Sequence, residues 1–352
     1  MSCPPQLGSR PRLSIVITNH NYRRFLGIAL SSALGQRDAE VEVIVVDDGS
    51  TDGSRELIAR HEGNFRVILQ ENLGQTAAMN AGFAAATGDV VLFLDSDDEL
   101  RPGTASAVAD AFAGRPGAAR VVFRLEIVDA AGRPSGAVVP SPDMALPEGD
   151  VRAAVLSHPD DLPWPPTSGN AFAAWALERL FPLPVDDDLA GADAWLHPLT
   201  PLLGSVVALP GLHGSYRLHG GNVHLRERLD VDRSRRVICR NEQVHRELDR
   251  LARTLGYGGA RPRSVTAAAH RLISLRLGGP GHPISLDTRR LVLGAGLRAS
   301  LGRTDVSPVR RAAYATWFIA AAIAPAPVVR ALTEAAFQPV RRSRLRRLVM
   351  GR

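Results

Sequence analysis

The chain has 352 residues, 45% of them apolar, which is enough to bury a substantial core and excludes a disordered protein. Its two cysteines, Cys3 and Cys239, match neither a metal-ligand spacing nor a disulfide framework, so a reducing cytoplasm is the expected compartment. The net charge of +6 conceals a split. Residues 1–222 carry 16 Arg against 27 acids, whereas residues 223–352 carry 26 Arg against 9, which directs the second part toward nucleic acid, an anionic membrane surface or an acidic partner.

The opening MSCPPQLGSRPRLSIVIT lacks a long apolar core followed by a small-residue cleavage site, and residues 1–11 read as a tail rather than a secretory signal. LSIVIT (13–18) and VEVIVVDDGS (41–50) are β-branched runs that close in polar residues, the pattern of strands buried on both faces. The spacing in RRFLGIALSSALGQ predicts a helix between them. A second helix is expected at SRELIARHE, a third strand at FRVILQ, an Ala-rich helix at QTAAMNAGFAAATG and a fourth strand at VVLFLD. This alternation predicts an α/β fold, a mostly parallel sheet flanked by helices, with ligands beyond the carboxyl ends of the strands.

Pro and Gly interrupt the region from Gly132 to Pro166, which reads as irregular with short strands such as ARVVFRLEIVD. NAFAAWALERL reads as a helix ended by PLP, ADAWLHPLTPLLG as a short helix, and SVVALPG as a strand that leads into SYRLHGGNVH. From about Val223 the texture becomes Arg-rich amphipathic helix, clearest in RRVICRNEQVHRELDRLARTLG, so a domain boundary is expected near residue 225.

VVLFLDSDDEL leaves a buried strand and ends in three carboxylates within four positions, Asp95, Asp97 and Asp98. Like charges this close are unfavourable unless a cation neutralises them. Hard carboxylate oxygens suit Mg²⁺ or Mn²⁺, and a metal held by one or two carboxylates keeps positions for diphosphate oxygens. Asp95 and Asp97 alternate along the chain, so a turn just after Leu94 is needed for both to face one ligand. A helix cap is the competing reading of the same acids. DDGSTDGS places Asp47 and Asp48 at a second strand end, and an Asx turn with a helix cap accounts for Ser50, Asp52 and Ser54.

Taken in order, TNHNY, VVDDGSTDGS, ENLGQTAAMNAG and LDSDD resemble the nucleotide-sugar domain of the family 2 glycosyltransferases. The likeness continues through PPTSGNAF, AGADAWL and YRLHGGNVH, about residues 12–224. It implies a GT-A fold over residues 12–225, with a nucleotide-binding half (12–100), an acceptor half (101–225), and a basic helical region at 226–352. The implied activity is inverting transfer from a UDP- or dTDP-sugar to an acceptor hydroxyl, in polysaccharide or cell-envelope glycan synthesis.

The resemblance also assigns roles. Asp97 would coordinate Mn²⁺ or Mg²⁺ directly, Asp95 would reach the ribose or the metal's waters with Ser96 beside it, and His219 would complete the shell. Asp98 is a supporting acceptor. Asp48 would accept from the imide N–H of uracil or thymine, although the amide face of guanine offers the same donor, while Asp47 is structural. Thr18, Asn19 and Asn21 would line the nucleotide pocket, a capping role competing for Thr18. Gly74 and Asn80 would let the backbone close over the nucleotide. Ser168, Gly169 and Asn170 fall on the acceptor side. Transfer needs a base for the acceptor hydroxyl, and the implied base is Asp193. There the family has an acidic pair, and this chain has Ala192 before the Asp. Asp186, Asp187 and Asp188 compete for that role, but their run in a Pro-bounded loop reads as a solvated turn. Arg217 and Asn222 would reach phosphate or brace a loop, and Trp164 and Trp195 would stack on a sugar or fill core.

In the basic part, AAYATWFIAAAIAPAPVV (312–329) is apolar for eighteen residues, long enough to raise a membrane span. Its alanines and two late prolines favour a buried or surface-lying helix. VRRSRLRRLVMGR interleaves leucines with arginines, as a segment resting on anionic headgroups does, and a solvated tail is the alternative. These features give a cytoplasmic protein peripheral to the inner face of the plasma membrane, with a saccharide or lipid-linked acceptor. Nucleic acid as a partner would rest on arginines alone, without a binding module. A nucleotidyltransferase acting on a sugar phosphate would carry a Gly-rich basic loop where TNHNY stands, and a non-catalytic scaffold would have lost its acidic strand end.

Overall fold

The structure, a computed structural model, describes residues 10–61, 63–185, 191–221, 230–259 and 263–337. These fall into two compact units. Those within Met1–Arg152, Pro163–Asp187 and Gly191–Leu218 form one, and those within Ala153–Leu162 and His219–Arg352 the other.

The first unit begins with β1 (Leu13–Asn19), buried at every position, as an apolar β-branched run in the middle of a sheet should be. It is followed by α1 (Arg23–Leu34), β2 (Val41–Asp48), α2 (Ser54–Ala59), β3 (Arg66–Gln70), α3 (Gln75–Ala85) and β4 (Val90–Asp95). The four strands are parallel in the order β3-β2-β1-β4. Their register opposes Asn19 to Asp47 on one side and Thr18 to Asp95 on the other, so both acidic strand ends flank the end of β1 at one height. Helix α3 lies so close to the sheet that a Cβ on Gly82 would sit 2.3 Å from Val16 Cγ1.

Beyond β4 come β5 (Glu99–Leu100), α4 (Thr104–Gly114), β6 (Ala118–Val128) and β7 (Pro134–Val139). The chain visits the second unit through α5 (Arg152–Ser157), returns as β8 (Asn170–Ala173) and α6 (Ala174–Leu177), then forms α7 (Asp193–Leu203) and β9 (Ser205–Arg217). The nine-stranded sheet runs β3-β2-β1-β4-β8-β6-β9-β5, with β7 beside β6. It is α/β as expected, but β8 is antiparallel to both neighbours and β5 to β9, so the far half is mixed. Two readings are corrected. Asn170–Ala173 is a strand rather than the start of a helix, because it is completely buried between β4 and β6, and a mid-sheet site overrides the helical preference of its alanines. SVVALPG and the residues after it up to Arg217 form one thirteen-residue strand, β9.

The second unit is helical: α8 (Val231–Thr254), α9 (Val265–Leu277), α10 (Arg289–Gly302), α11 (Pro308–Ile323) and α12 (Ala326–Phe337). Side chains of Asp230, Ser264, Thr288 and Ser307 cap four of these at their amino ends. Asp161 accepts the Val265 and Thr266 N–H groups at 2.7 and 2.9 Å and pairs with Arg303 at 3.0 Å. Leu272, Val292, Phe318, Ala321 and Val329 form the core. The apolar run 312–329 is broken at Ala324–Pro325 into α11 and α12, and no helix among the described residues is long and apolar enough to cross a membrane. Asp186 to Asp188, Asn222 and the segment VRRSRLRRLVMGR lie outside the described residues.

Candidate active site at the strand ends

Asp47 is wholly buried and accepts three donors: Asn19 Nδ2 at 2.9 Å, Ser50 N–H at 3.0 Å and Arg55 Nε at 2.8 Å. Burial pushes its carboxyl up, but the bonds from Arg55, Ser50 and Asn19 outweigh that and hold it below the usual carboxylate range. Its oxygens are committed to the turn. Asp48 is also buried. Its Oδ1 accepts Gln70 Nε2 at 2.7 Å and Leu73 N–H at 2.9 Å, and Oδ2 accepts Gly74 N–H at 2.8 Å. The expected base-binding residue therefore anchors the loop that enters α3, where Gly74 has φ +87°. Asn21, with φ +58°, receives Thr51 N–H on its Oδ1 at 2.7 Å. Asn19 Oδ1 is buried with no hydrogen-bond partner among the described residues. Thr18 is buried at the end of β1. The Asn80 amide is spent on both backbone groups of Leu183, at 2.9 and 2.8 Å.

The turn required after Leu94 is present, closed by Asp98 N–H to Asp95 O at 3.0 Å with Ser96 buried inside it. Asp98 is buried and accepts Ser168 Oγ at 2.7 Å and Arg217 N–H at 3.0 Å. Burial, then the charges of Asp97 and Asp95, push its carboxyl well above the ordinary range. Burial, then Asp97 and Asp193, do the same to Asp95, opposed by the bond from Gln75 Nε2 at 2.8 Å. Burial and the three aspartates also push the Tyr22 hydroxyl up to about 12. Arg217, nearly inaccessible, braces the turn through Nε to Asp97 O at 2.9 Å.

This donor set fits a hard divalent cation, whose charge would relieve the repulsion that raises Asp95 and Asp98. It offers carboxylates alone. Among the described residues no group of three or more His, Cys, Asp or Glu side chains is gathered at metal-holding distances. His219 Nδ1 accepts Gly221 N–H at 3.1 Å.

Asp193 opens α7. Its Oδ2 accepts the Thr167 hydroxyl at 2.9 Å, and its Oδ1 lies 3.7 Å from His197 Nε2 one turn on. Desolvation among its neighbours raises its pKa, opposed by the Thr167 bond and by the charge of Arg120. The charge of Asp193 in turn raises Asp95, so the candidate base and the acidic strand end act on each other electrostatically. Next along the chain, Ser168 Oγ accepts Asp95 N–H at 3.1 Å while donating to Asp98. Gly169 has no room for a side chain, since a Cβ would lie 2.5 Å from Pro165 Cβ. Asn170 Oδ1 accepts from Arg120 Nε at 3.1 Å and from its Nη2.

Arg120 is fully buried, lies 4.2 Å over the Trp164 ring, and is lowered by burial to a pKa of about 9. Trp195 is buried core. Thr167, Gln75, Tyr22 and Arg120 were not singled out from the sequence. Tyr22, Gln75 and Thr167 do fall within the motifs TNHNY, ENLGQTAAMNAG and PPTSGNAF, whereas Arg120 carries no such signal.

These features define an α/β enzyme fold of the GT-A type, with acidic strand ends beside a second carboxylate on a helix start. The sequence model of Glycosyl transferase family 2 matches residues 14–133. The uncharacterized glycosyltransferase alr2836 of Nostoc sp. is 34% identical over 223 residues, covering 61% of this chain and 67% of that protein. The succinoglycan biosynthesis protein ExoO of Rhizobium meliloti is 36% identical over 132 residues, 37% of this chain and 38% of that protein. Among solved structures, S. aureus TarS 1–349 in complex with UDP-GlcNAc superposes with a TM-score of 0.52 at 15% identity, over 93% of this chain and 92% of that one, a likeness of fold. The chain belongs to glycosyltransferase family 2 and is a glycosyltransferase.

Proposed function

We propose that the protein moves a sugar from a UDP- or dTDP-linked donor to an acceptor hydroxyl with inversion at the anomeric carbon, in the synthesis of a polysaccharide or other cell-envelope glycan. The supporting observation is the adjacent pair Thr167 and Ser168: the first donates to Asp193, the second accepts the Asp95 N–H and donates to Asp98, which keeps a proton acceptor beside the acidic end of β4. The biosynthetic context rests on relatives such as ExoO.

In this reading Asp193 takes the acceptor's hydroxyl proton as that oxygen attacks the anomeric carbon. The bond from carbon to the diphosphate oxygen breaks on the opposite face, and its electron pair leaves with the nucleoside diphosphate. Asp95 and Asp97, with His219 as an additional candidate, would hold Mn²⁺ or Mg²⁺, which when bound supplies positive charge to the departing diphosphate. Asp48, Thr18, Asn19, Asn21 and Gly74 shape the nucleotide side, Asn80 fixes the Leu183 backbone near it, and Ser168, Gly169 and Asn170 support the acceptor side. Residues 12–225 act as the transferase domain and 226–352 as a basic helical region that brings the enzyme to the inner face of the plasma membrane.

A donor screen tests this. Purified protein is mixed with UDP-, dTDP- and GDP-sugars and Mn²⁺ or Mg²⁺, and thermal stabilisation and nucleoside diphosphate release are followed. UDP- or dTDP-sugars should respond and EDTA should abolish the response. A response to GDP-sugars alone would overturn the base assignment, and release unaffected by EDTA would overturn the metal.

A further inference from the structure

We propose that α11 lies flat on an anionic lipid bilayer, with a solvent-facing stripe of Val309, Ala312, Ala313, Thr316, Ile319 and Ile323 set among the acyl chains. This deepens the peripheral membrane position proposed above by naming the surface that makes the contact. It does not depend on sugar transfer.

The stripe follows from helical geometry. Positions 309, 312, 313, 316, 319 and 323 recur at intervals of three and four, which puts them along one side of a helix. All six are exposed, Val309 at 79%, Ile319 at 48% and Ile323 at 77%. The opposite side carries the buried Phe318 and Ala321, packed into the core with Leu272 and Val292. Water thus meets the side that a soluble helix would make polar, and Thr316 is the one polar residue along it. Val328, 46% exposed at the start of α12, extends the apolar surface past the Ala324–Pro325 break.

The charges beside the stripe select the occupant. Arg310 and Arg330 are exposed and Arg311 is partly so, and none of the three pairs with an acid among the described residues. From residue 288 to the last residue the sequence has thirteen arginines against two acids, Asp305 and Glu334, and Asp305 is spent on Arg303. An apolar stripe on a helix that, with its neighbour, carries guanidinium groups lacking an acidic partner among the described residues complements anionic headgroups over acyl chains. A second copy of the chain fits worse, because a two-fold contact would set these guanidinium groups against one another. Spanning is excluded by length: sixteen residues rise about 24 Å against a hydrocarbon core of about 30 Å.

The test is sedimentation of the full-length protein with vesicles of phosphatidylcholine alone or mixed with phosphatidylglycerol. The wild type and two double variants are compared, Ile319→Asp with Ile323→Asp, and Arg310→Glu with Arg330→Glu. All four positions are exposed, so each variant should keep the wild-type melting temperature and nucleotide-sugar binding. The wild type should sediment only with the mixed vesicles, and each double variant should lose about tenfold or more of its partition coefficient. Wild-type sedimentation that survives the aspartates unchanged would overturn the assignment to α11 and leave membrane contact to other residues. No sedimentation of the wild type would overturn membrane contact altogether. A wild-type dimer that dissociates in the aspartate variant, with vesicle binding unchanged, would make the stripe a self-interface instead. Failure of the donor screen bears only on the transferase reading.

Discussion

Asp48→Asn separates two roles that compete for one carboxylate. The buried group receives Gln70 Nε2 and Leu73 N–H on Oδ1 and Gly74 N–H on Oδ2. An asparagine has one acceptor oxygen. Placed at Oδ1 it retains two bonds without charge assistance and turns its own N–H₂ toward Gly74 N–H, and the opposite rotamer loses two bonds. One charge-assisted bond is worth about 1.5–3 kcal/mol, and weakening the others brings the loss to about 2–4 kcal/mol. With a urea slope of about 2 kcal/mol/M, the midpoint should fall by about 1–2 M. Trp317 lies in the second unit, so in a Trp317→Phe background the fluorescence of Trp164, Trp175 and Trp195 follows the first. Donor affinity should fall in parallel, because Gly74 is released at the start of α3. A midpoint unchanged from wild type, together with lost donor binding, would show that the carboxylate is reserved for the base, and the anchoring argument would be wrong.

Asp193→Asn should keep nucleotide-sugar binding by calorimetry while transfer falls by about 10²–10⁴-fold, the usual contribution of a general base; full-rate transfer would remove Asp193 from that role. Gly82→Ala should destabilise the first unit by about 1–3 kcal/mol in urea, since the new Cβ meets Val16 and the strand beneath cannot move aside. The third concerns pH. Burial first, then Arg240 and Arg233, lower the pKa of His270 from 6.5 to about 4. The unfolded chain therefore binds this proton first, so the stabilisation is present above about pH 6.5 and is lost as pH falls to about 4. Its full extent is about 3 kcal/mol. Trp317 fluorescence should report a second unit whose stability falls across that window, and His270→Gln should flatten the slope.

The half of the fold that follows chain-local pattern was legible. β1 to β4 declare themselves as apolar runs separated by helical spacing, and Asp47, Asp48 and Asp95 were placed at strand ends because turn formers follow each run. What was lost is non-local. β8 looks helical because alanine dominates it, and only its position between β4 and β6, 80 and 50 residues away in sequence, makes it a strand. Arg120 carries no motif, and its stacking on Trp164 and bond to Asn170 arise when β6 meets β8. The break of the 312–329 run was visible in its prolines, but which side of α11 faces water depends on where Phe318 packs.

Thr167 to Asn170 show how a motif of small residues can set the distances within a candidate site. Thr167 holds Asp193, Ser168 fixes the Asp95 amide and Asp98, Gly169 fits only because it lacks a Cβ, and Asn170 orders Arg120. The segment runs directly into β8, the strand that pairs with β4 on one side and β6 on the other. A group carried by a central strand is placed more rigidly than one carried by a loop. The separation between the acidic strand end and the candidate base is therefore governed by the sheet, and the loops around it are left free to differ in the sugar and acceptor they admit.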